Sequence, residues 1–439
     1  MTAPRQPASE HAIDAGLKRE ISRLGFAAMS LNGVIGAGIF ALPAVAAQAG
    51  LLFSPWLFLI CGALIMTVVL SFSRAASFFS HTGGPLAYVG HAFGPFAGFQ
   101  IGWLFTFSRI TAMAANANLL VTYAAWFWEP LGDGLARRAA VSVFIVFLMV
   151  VNMIGVRRGV LAMFVFTLLK LIPLSLLVLL GLSQINPEVF VHPGGPEMDG
   201  IGGTLLVLMY AFVGFESAVV PAGEARDPRR DIPRALALSV MGITLLYVVI
   251  QIVTVSILPD AASSERPLID VMDLLMGTTG AALMAAGAVF SITGNLSSMM
   301  LSGPRMVFAM SRMGSLPAWF GRVHSRWATP TNAIVFIGAT GLALALSGSF
   351  IWLAAMSTVV RLIVYATCIL ALPRLEARAD ADEAPFHLPG GYLIPLAGLA
   401  TSCWLVWHAS LRSWVVTGIF FALGAVFYVM GRRRRGETN

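Results

Sequence analysis

Apolar runs long enough to cross a bilayer as helices recur from one end of this chain to the other. A helix needs about 20 residues to span the hydrocarbon core. Twelve such runs lie near residues 24–48, 51–79, 95–127, 138–156, 160–183, 201–222, 234–258, 279–311, 332–348, 349–373, 392–410 and 413–431. Only 11% of the 439 residues are charged and 58% are hydrophobic, whereas a soluble domain carries about 25% charge. The expected fold class is an all-α polytopic membrane protein of twelve spans. The net charge of +7 does not point to nucleic acid, because the basic residues fall in short loops between apolar runs. The first run is too long for a signal peptide. It is expected to remain as a span behind a cytoplasmic lead-in over residues 1–23.

Lysine and arginine set the orientation, since they accumulate on the cytoplasmic side of membrane proteins. Of the 28 basic residues, 21 fall in segments on the side of the N-terminus. Four fall on the opposite side: Arg137, Arg138, Arg266 and Arg412. Three, Arg109, Lys170 and Arg361, lie inside spans. Both termini are therefore expected in the cytoplasm, with outer loops at 184–200 and 259–278. Residues 432–439 form a basic tail that suits contact with anionic lipid.

The first run contains Gly33-Val34-Ile35-Gly36-Ala37-Gly38-Ile39-Phe40. Each glycine in a helix interior costs roughly 1 kcal/mol relative to alanine. Two readings follow: close helix packing, which small residues permit, or an unwound break. Irregular backbone at membrane depth survives only where protein or a water-filled cavity satisfies it. A break would leave backbone N–H groups at a helix N-terminus, able to receive an anion such as a carboxylate. The sixth run answers the question. Its Tyr210-Ala211-Phe212-Val213-Gly214-Phe215-Glu216-Ser217 again sets a glycine and a charge near mid-span. Interrupted helices five spans apart are the pattern of transporters built from two inverted five-helix halves, with the substrate between the breaks. Residues 24–373 then form a ten-helix transport core, and residues 392–431 add two further helices.

With both breaks identified, the chain resembles the amino acid–polyamine–organocation (APC) superfamily. Four motifs carry the resemblance. The first is Gly36-Ala37-Gly38-Ile39-Phe40 followed by Leu42-Pro43. The second is Gly83-Gly84-Pro85 with Ala87-Tyr88, then Phe93-Gly94-Pro95 and Gly102-Trp103. The third runs from Phe212-Val213-Gly214-Phe215-Glu216 through Gly223-Glu224 and Asp227-Pro228-Arg229-Arg230 to Ile232-Pro233. The fourth comprises Arg305, Ala309-Met310, Arg312, Gly314, Leu316-Pro317 and Pro330. Two departures stand out. Ala37 replaces a small, often hydroxylated residue, and Pro85 stands where many members have a small or polar one. The resemblance implies transport of amino acids or related amines by alternating access. It implies a carboxylate-binding role for Gly36, Ala37 and Gly38, with Ile39 beside them. It also implies receipt of the α-amino group by carbonyls around Phe212, Val213, Gly214 and Phe215, and an aromatic gate at Tyr210.

A charge at the bilayer centre is costly, so ionisable residues inside spans are functional candidates. Unlike arginine, a desolvated lysine can release its proton. Lys170, one of two lysines in the chain, therefore suits a proton carrier; the alternative is a structural ammonium held by the first break. Several sodium-independent relatives resemble this chain in placing a fifth-helix lysine there. Glu216 is expected to bond backbone groups at the sixth break or to pair with a cation, in a structural or gating role. Arg109 either reaches the side-chain end of the pocket and selects acidic or polar substrates, or serves as a partner of Glu216 or a vestibule charge. Arg361 is a candidate member of a gate pair. Asn295 and Asn32 can line the pocket or hydrogen-bond across helices without a charge cost.

Metalloprotease, nucleophile-elbow, CxxC and P-loop patterns are absent from the sequence, which argues against an enzyme. Cys61, Cys368 and Cys403 all fall in apolar runs and read as small buried residues. No catalytic residue, metal site or cofactor is expected. The reading is a secondary transporter of the inner (plasma) membrane, coupled to protons as a symporter, with amino acid or amine exchange as the alternative. Its partners are a small amino acid or amine, protons and the lipid bilayer, in a monomer or homodimer.

Overall fold

A computed structural model describes residues 30–79, 84–154, 159–191, 194–218, 228–378, 386, 388 and 390–436. The segment 1–23, Gly83 of the second motif, and Gly223, Glu224 and Asp227 of the third lie outside the described residues. Every regular element among the described residues is helical. The helices are α1 (Gly38–Ala49), α2 (Ser54–Ser77), α3 (Gly84–Phe93), α4 (Pro95–Ala124), α5 (Gly134–Ile154), α6 (Gly159–Gly181), α7 (Ile201–Leu208), α8 (Pro228–Ile257), α9 (Pro267–Arg312), α10 (Thr331–Ser347), α11 (Phe350–Glu376), α12 (Leu393–Trp407) and α13 (Leu411–Gly436). Among the described residues, six helices are long and apolar enough to cross a membrane: α2, α5, α9, α11 and the main parts of α8 and α13. Shorter apolar helices, α1 and α10 among them, accompany these.

α4 is the centre of the bundle. Nearly its whole length from Gly98 to Tyr123 is buried, including Gln100, Arg109, Asn116 and Asn118. It packs against α3, α9, α10, α11 and α13. α2 lies along α8, α6 along α9, and α5 along α10, while α1 meets α7 and α9. α13 is fastened to α4 by side chains that donate to its backbone. Trp103 Nε1 bonds the Phe420 carbonyl (2.9 Å) and Gln100 Nε2 bonds that of Phe421 (3.3 Å). The Trp103 ring stacks on Phe420 at 4.6 Å.

Three local expectations need correction. The outer loop expected at 259–278 is partly helical: a helix starts at Pro267 and is broken at non-helical Gly277 (φ 64°, ψ −160°), after which the expected span 279–311 runs on to Arg312. Proline in the first turn and Asp270 beside it favour a helix start there. The motif around Gly84-Pro85 is a separate helix, α3, whose end is clamped to α11. Arg374 lies over the Phe93 ring at 4.6 Å, and Arg378 donates to the His91 carbonyl. Cations at a helix C-terminus meet its exposed carbonyls favourably. Cys61 and Cys368 are buried, as expected, but Cys403 is exposed.

The attachment of α13 can be tested at Trp103. Trp103→Phe removes one cross-helix hydrogen bond and should lower unfolding free energy by roughly 1 kcal/mol. Trp103→Ala also empties the stack and should cost about 3–5 kcal/mol. Denaturation in detergent–lipid micelles should place the two variants in that order.

Candidate functional site

The first run is helical over 30–34, unwinds over 35–37 and resumes as α1 at Gly38. Its carbonyls are answered from other helices. Lys170 Nζ, on α6, donates to the Asn32 side-chain oxygen (2.6 Å), the Ile35 carbonyl (2.7 Å) and the Asn32 carbonyl (3.2 Å). Asn295 Nδ2, on α9, reaches the Gly33 carbonyl at 3.5 Å. Tyr247, on α8, donates to the Val34 carbonyl (3.4 Å) and Ser291, on α9, to that of Gly36 (3.4 Å). On the donor side, the Gly36 N–H turns back to the Val34 carbonyl (2.8 Å). The N–H groups of Ala37, Gly38 and Ile39 reach no acceptor among the described residues. All three residues are buried. A buried helix start whose N–H groups have no acceptor is a backbone geometry able to receive an anion.

The sixth run shows the opposite imbalance. After α7, a 3₁₀ turn over Met209–Phe212 ends at extended Val213 (φ −83°, ψ 153°), and a second turn starts at Phe215. Gly214 between them has φ +119°. Its N–H donates to Glu216 Oε2 (2.9 Å). The carbonyls of Ala211, Phe212 and Val213 receive no donor from outside the turn among the described residues. Unpaired carbonyls inside a membrane protein favour a cationic donor.

The two breaks touch. A Cβ on Gly38 would stand 2.8 Å from the Ala211 Cα, and one on Gly214 would stand 2.3 Å from the Gly33 carbonyl oxygen. Packing and unwinding are therefore not competing accounts of these glycines. Gly38 and Gly214 let the backbones meet, and Gly36 lies against the Asn295 amide. A polar chain ties the breaks to α4. Tyr210 donates to Asn116 Oδ1 (2.6 Å), and Asn116 Nδ2 donates to Asn295 Oδ1 (2.9 Å). The Tyr210 ring stands edge-on to Phe350 at 5.9 Å.

Glu216 is fully buried. Besides the Gly214 N–H, it accepts from Tyr365 (2.8 Å), and Arg361 Nε lies 3.5 Å from its other oxygen. Glu216 thus bonds a backbone N–H and also lies beside a cation, so the two contacts given as alternatives occur together. Arg361 supplies the cation, whereas Arg109 donates to Ser302 on α9. Arg109 as ion-pair partner of Glu216 is thereby corrected: Arg361 and Tyr365 come from one face of α11, four residues apart, and occupy the carboxylate. The contributions of Asn116, Ser291, Tyr247 and Tyr365 are additions that sequence reading missed. Each is an ordinary polar residue in an apolar helix, and Asn116 alone carried a signal, as an amide in mid-span. A cavity of about 470 Å³ lies elsewhere, among Leu104, Ile363, Thr367 and Trp414, and neither break lines it.

Comparison with known proteins gives a consistent result. The amino acid permease family model matches residues 25–429. The serine/threonine exchanger SteT of Bacillus subtilis is 26% identical over 443 residues, covering 97% of this chain and 99% of its own. The branched-chain amino acid permease BcaP of the same organism is 24% identical over 454 residues, covering 97% and 96%.

The buried carboxylate provides a test of this arrangement. Glu216→Gln leaves the Arg361 charge without its counter-ion and should cost about 3–5 kcal/mol of stability. Adding Arg361→Met removes that orphan charge, so the double variant should melt above Glu216→Gln alone. Thermal unfolding of the purified protein measures both.

Proposed function

This chain belongs to the amino acid permease family, and we propose that it is a secondary active transporter working by alternating access between its two breaks. Amino acid transport across the membrane is the family's activity, and its members are not enzymes. The observation that carries the reading is the paired imbalance at the breaks. Among the described residues, three buried N–H groups at residues 37–39 lack acceptors, and three carbonyls at residues 211–213 lack donors from outside their own turn. An α-amino acid offers the complement on one carbon, a carboxylate and an ammonium group. Ala37, Gly38 and Ile39 bind the carboxylate through backbone alone, because Ala37 has no hydroxyl, and Gly36, its own N–H turned to Val34, leaves room for it beside them. Phe212, Val213, Gly214 and Phe215 surround the ammonium group, with Tyr210 and Asn295 as the wall and Glu216 holding the sixth break.

The helix packing supports a twelve-span protein with a five-plus-five inverted repeat. The pairing of α6 with α9 recurs as α11 with α4, as expected if the second half repeats the first. Positive residues cluster at the ends of α9 and α11 that carry Arg312 and Arg374, which supports cytoplasmic termini.

Proton-coupled symport is the coupling mode we favour. The Lys170 ammonium bonds three oxygens of the first break. Loss of its proton would weaken those bonds and alter the geometry that presents the N–H groups. Exchange is the second reading, supported by the likeness to a protein named a serine/threonine exchanger.

Reconstituted liposomes separate the two readings. Symport requires uptake into empty vesicles under an inward proton gradient, abolished by a protonophore and by Lys170→Ala. Uptake confined to vesicles preloaded with amino acid would establish exchange instead. A thermal-shift screen across amino acids and amines identifies the substrate, since ligands of the folded state raise its melting temperature.

A further inference from the structure

The seam between α4 and α9 carries two polar rungs. The upper one joins Asn116 to Asn295 beside the breaks. The lower one joins Arg109 to Ser302, seven residues before Asn116 on α4 and seven after Asn295 on α9. At 1.5 Å per residue the rungs stand about 10 Å apart. The lower rung lies toward the end of α9 that bears Arg305 and Arg312.

Arg109 is only 8% exposed. Its Nε is buried and has no acceptor among the described residues. Its guanidinium carbon lies 5.8 Å from the Phe105 ring centroid. The nearby carboxylate, Glu216, is occupied by Arg361, Tyr365 and the Gly214 N–H. A buried guanidinium facing one hydroxyl and one ring is under-compensated for a membrane interior. The face of α9 beside it is open. Ser298 and Arg305 are exposed and Ser302 is partly so, and spacings of four and three place them in one stripe. The Ser302 hydroxyl and the Arg305 guanidinium bond carbonyls of their own helix, yet an exposed arginine in line with two serines suits a water-lined face better than a lipid-facing one.

We infer that Arg109 and Ser302 form a second carboxylate station on a water-filled path between the breaks and the arginine-bearing end of α9. The inference rests on the carboxylate reading of the first break. Substrate released from the N–H groups of residues 37–39 passes the Asn116–Asn295 rung and meets the Arg109 guanidinium one rung, about 10 Å, beyond it. Nε is vacant, and the bond to Ser302 is to a neutral hydroxyl, which a carboxylate displaces. A guanidinium binds a carboxylate through two parallel N–H groups. The station repeats, on the path, the selection for a carboxylate that residues 37–39 make at the first break, and so disfavours amines lacking one.

A cysteine reporter tests the station whichever amino acid the protein carries. Cys403 is replaced by Ser, and Ser298→Cys supplies a thiol between the rungs. An anionic sulfonate-bearing methanethiosulfonate reagent should modify it faster than a cationic trimethylammonium one, by about threefold or more. Arg109→Gln should remove that preference, and Arg109→Lys, which keeps the charge, should retain it. A mixture of the standard L-amino acids should slow the modification; the corresponding amines lacking a carboxylate should not. An unreactive thiol, or a charge preference unchanged by Arg109→Gln, would overturn the inference. The thermal shift caused by the amino acid mixture gives the control. If it persists in Arg109→Gln while the reporter does not respond, the station is refuted and binding at the breaks stands. If it is absent from the unsubstituted protein as well, the reading of the breaks fails with it.

Discussion

Everything in this structure turns on the satisfaction of backbone polar groups where there is no water to satisfy them. A membrane helix meets the requirement internally. A chain that unwinds inside the bundle must find its partners elsewhere. Here the first break finds them for its carbonyls, whereas the N–H groups of residues 37–39 have no acceptor among the described residues. Lys170, Tyr247, Ser291 and Asn295 reach it from three helices and answer the acceptors one by one. The donors at residues 37–39 are left facing inward. The helix dipole reinforces that vacancy with partial positive charge.

The sixth break is held by a different device. Glu216 replaces a missing backbone acceptor by taking the Gly214 N–H, and α11 stabilises the carboxylate with Tyr365 and Arg361. Among the described residues the partners of this charge are all internal: the Gly214 N–H, Tyr365 and Arg361. It acts as a clasp that keeps Val213 extended and the preceding carbonyls turned away from a helical path. The two breaks thus present complementary deficits at close quarters, a combination that neither segment could hold alone.

Buried charge follows the same economy. Three cations lie inside the bundle, and each is treated differently. Lys170 is enclosed by oxygens of the first break. Arg361 is matched to a carboxylate. Arg109 has a hydroxyl and an aromatic face and keeps part of its bonding capacity open. The helix that carries Arg109 also carries Asn116, so α4 joins the breaks to the path beside α9.

Local chemistry made much of this legible from sequence. Apolar length marked the spans, glycine in mid-span marked both breaks, and the rarity of charge singled out Lys170, Glu216, Arg109 and Arg361. These signals depend only on neighbouring residues, on the bilayer's thickness and on the cost of placing charge within it. The partners were not legible. Glu216 and Arg361 are separated by 145 positions, and Lys170 lies 135 from Ile35. No periodicity reports which helix faces which across such distances. Helix α3 was hidden because it is too short to stand out against true spans. Sequence by itself determined that the chain crosses a membrane and opens two helices within it. The tertiary structure decided which donors and acceptors remain unpaired, because that depends on which side chains packing delivers to each backbone group.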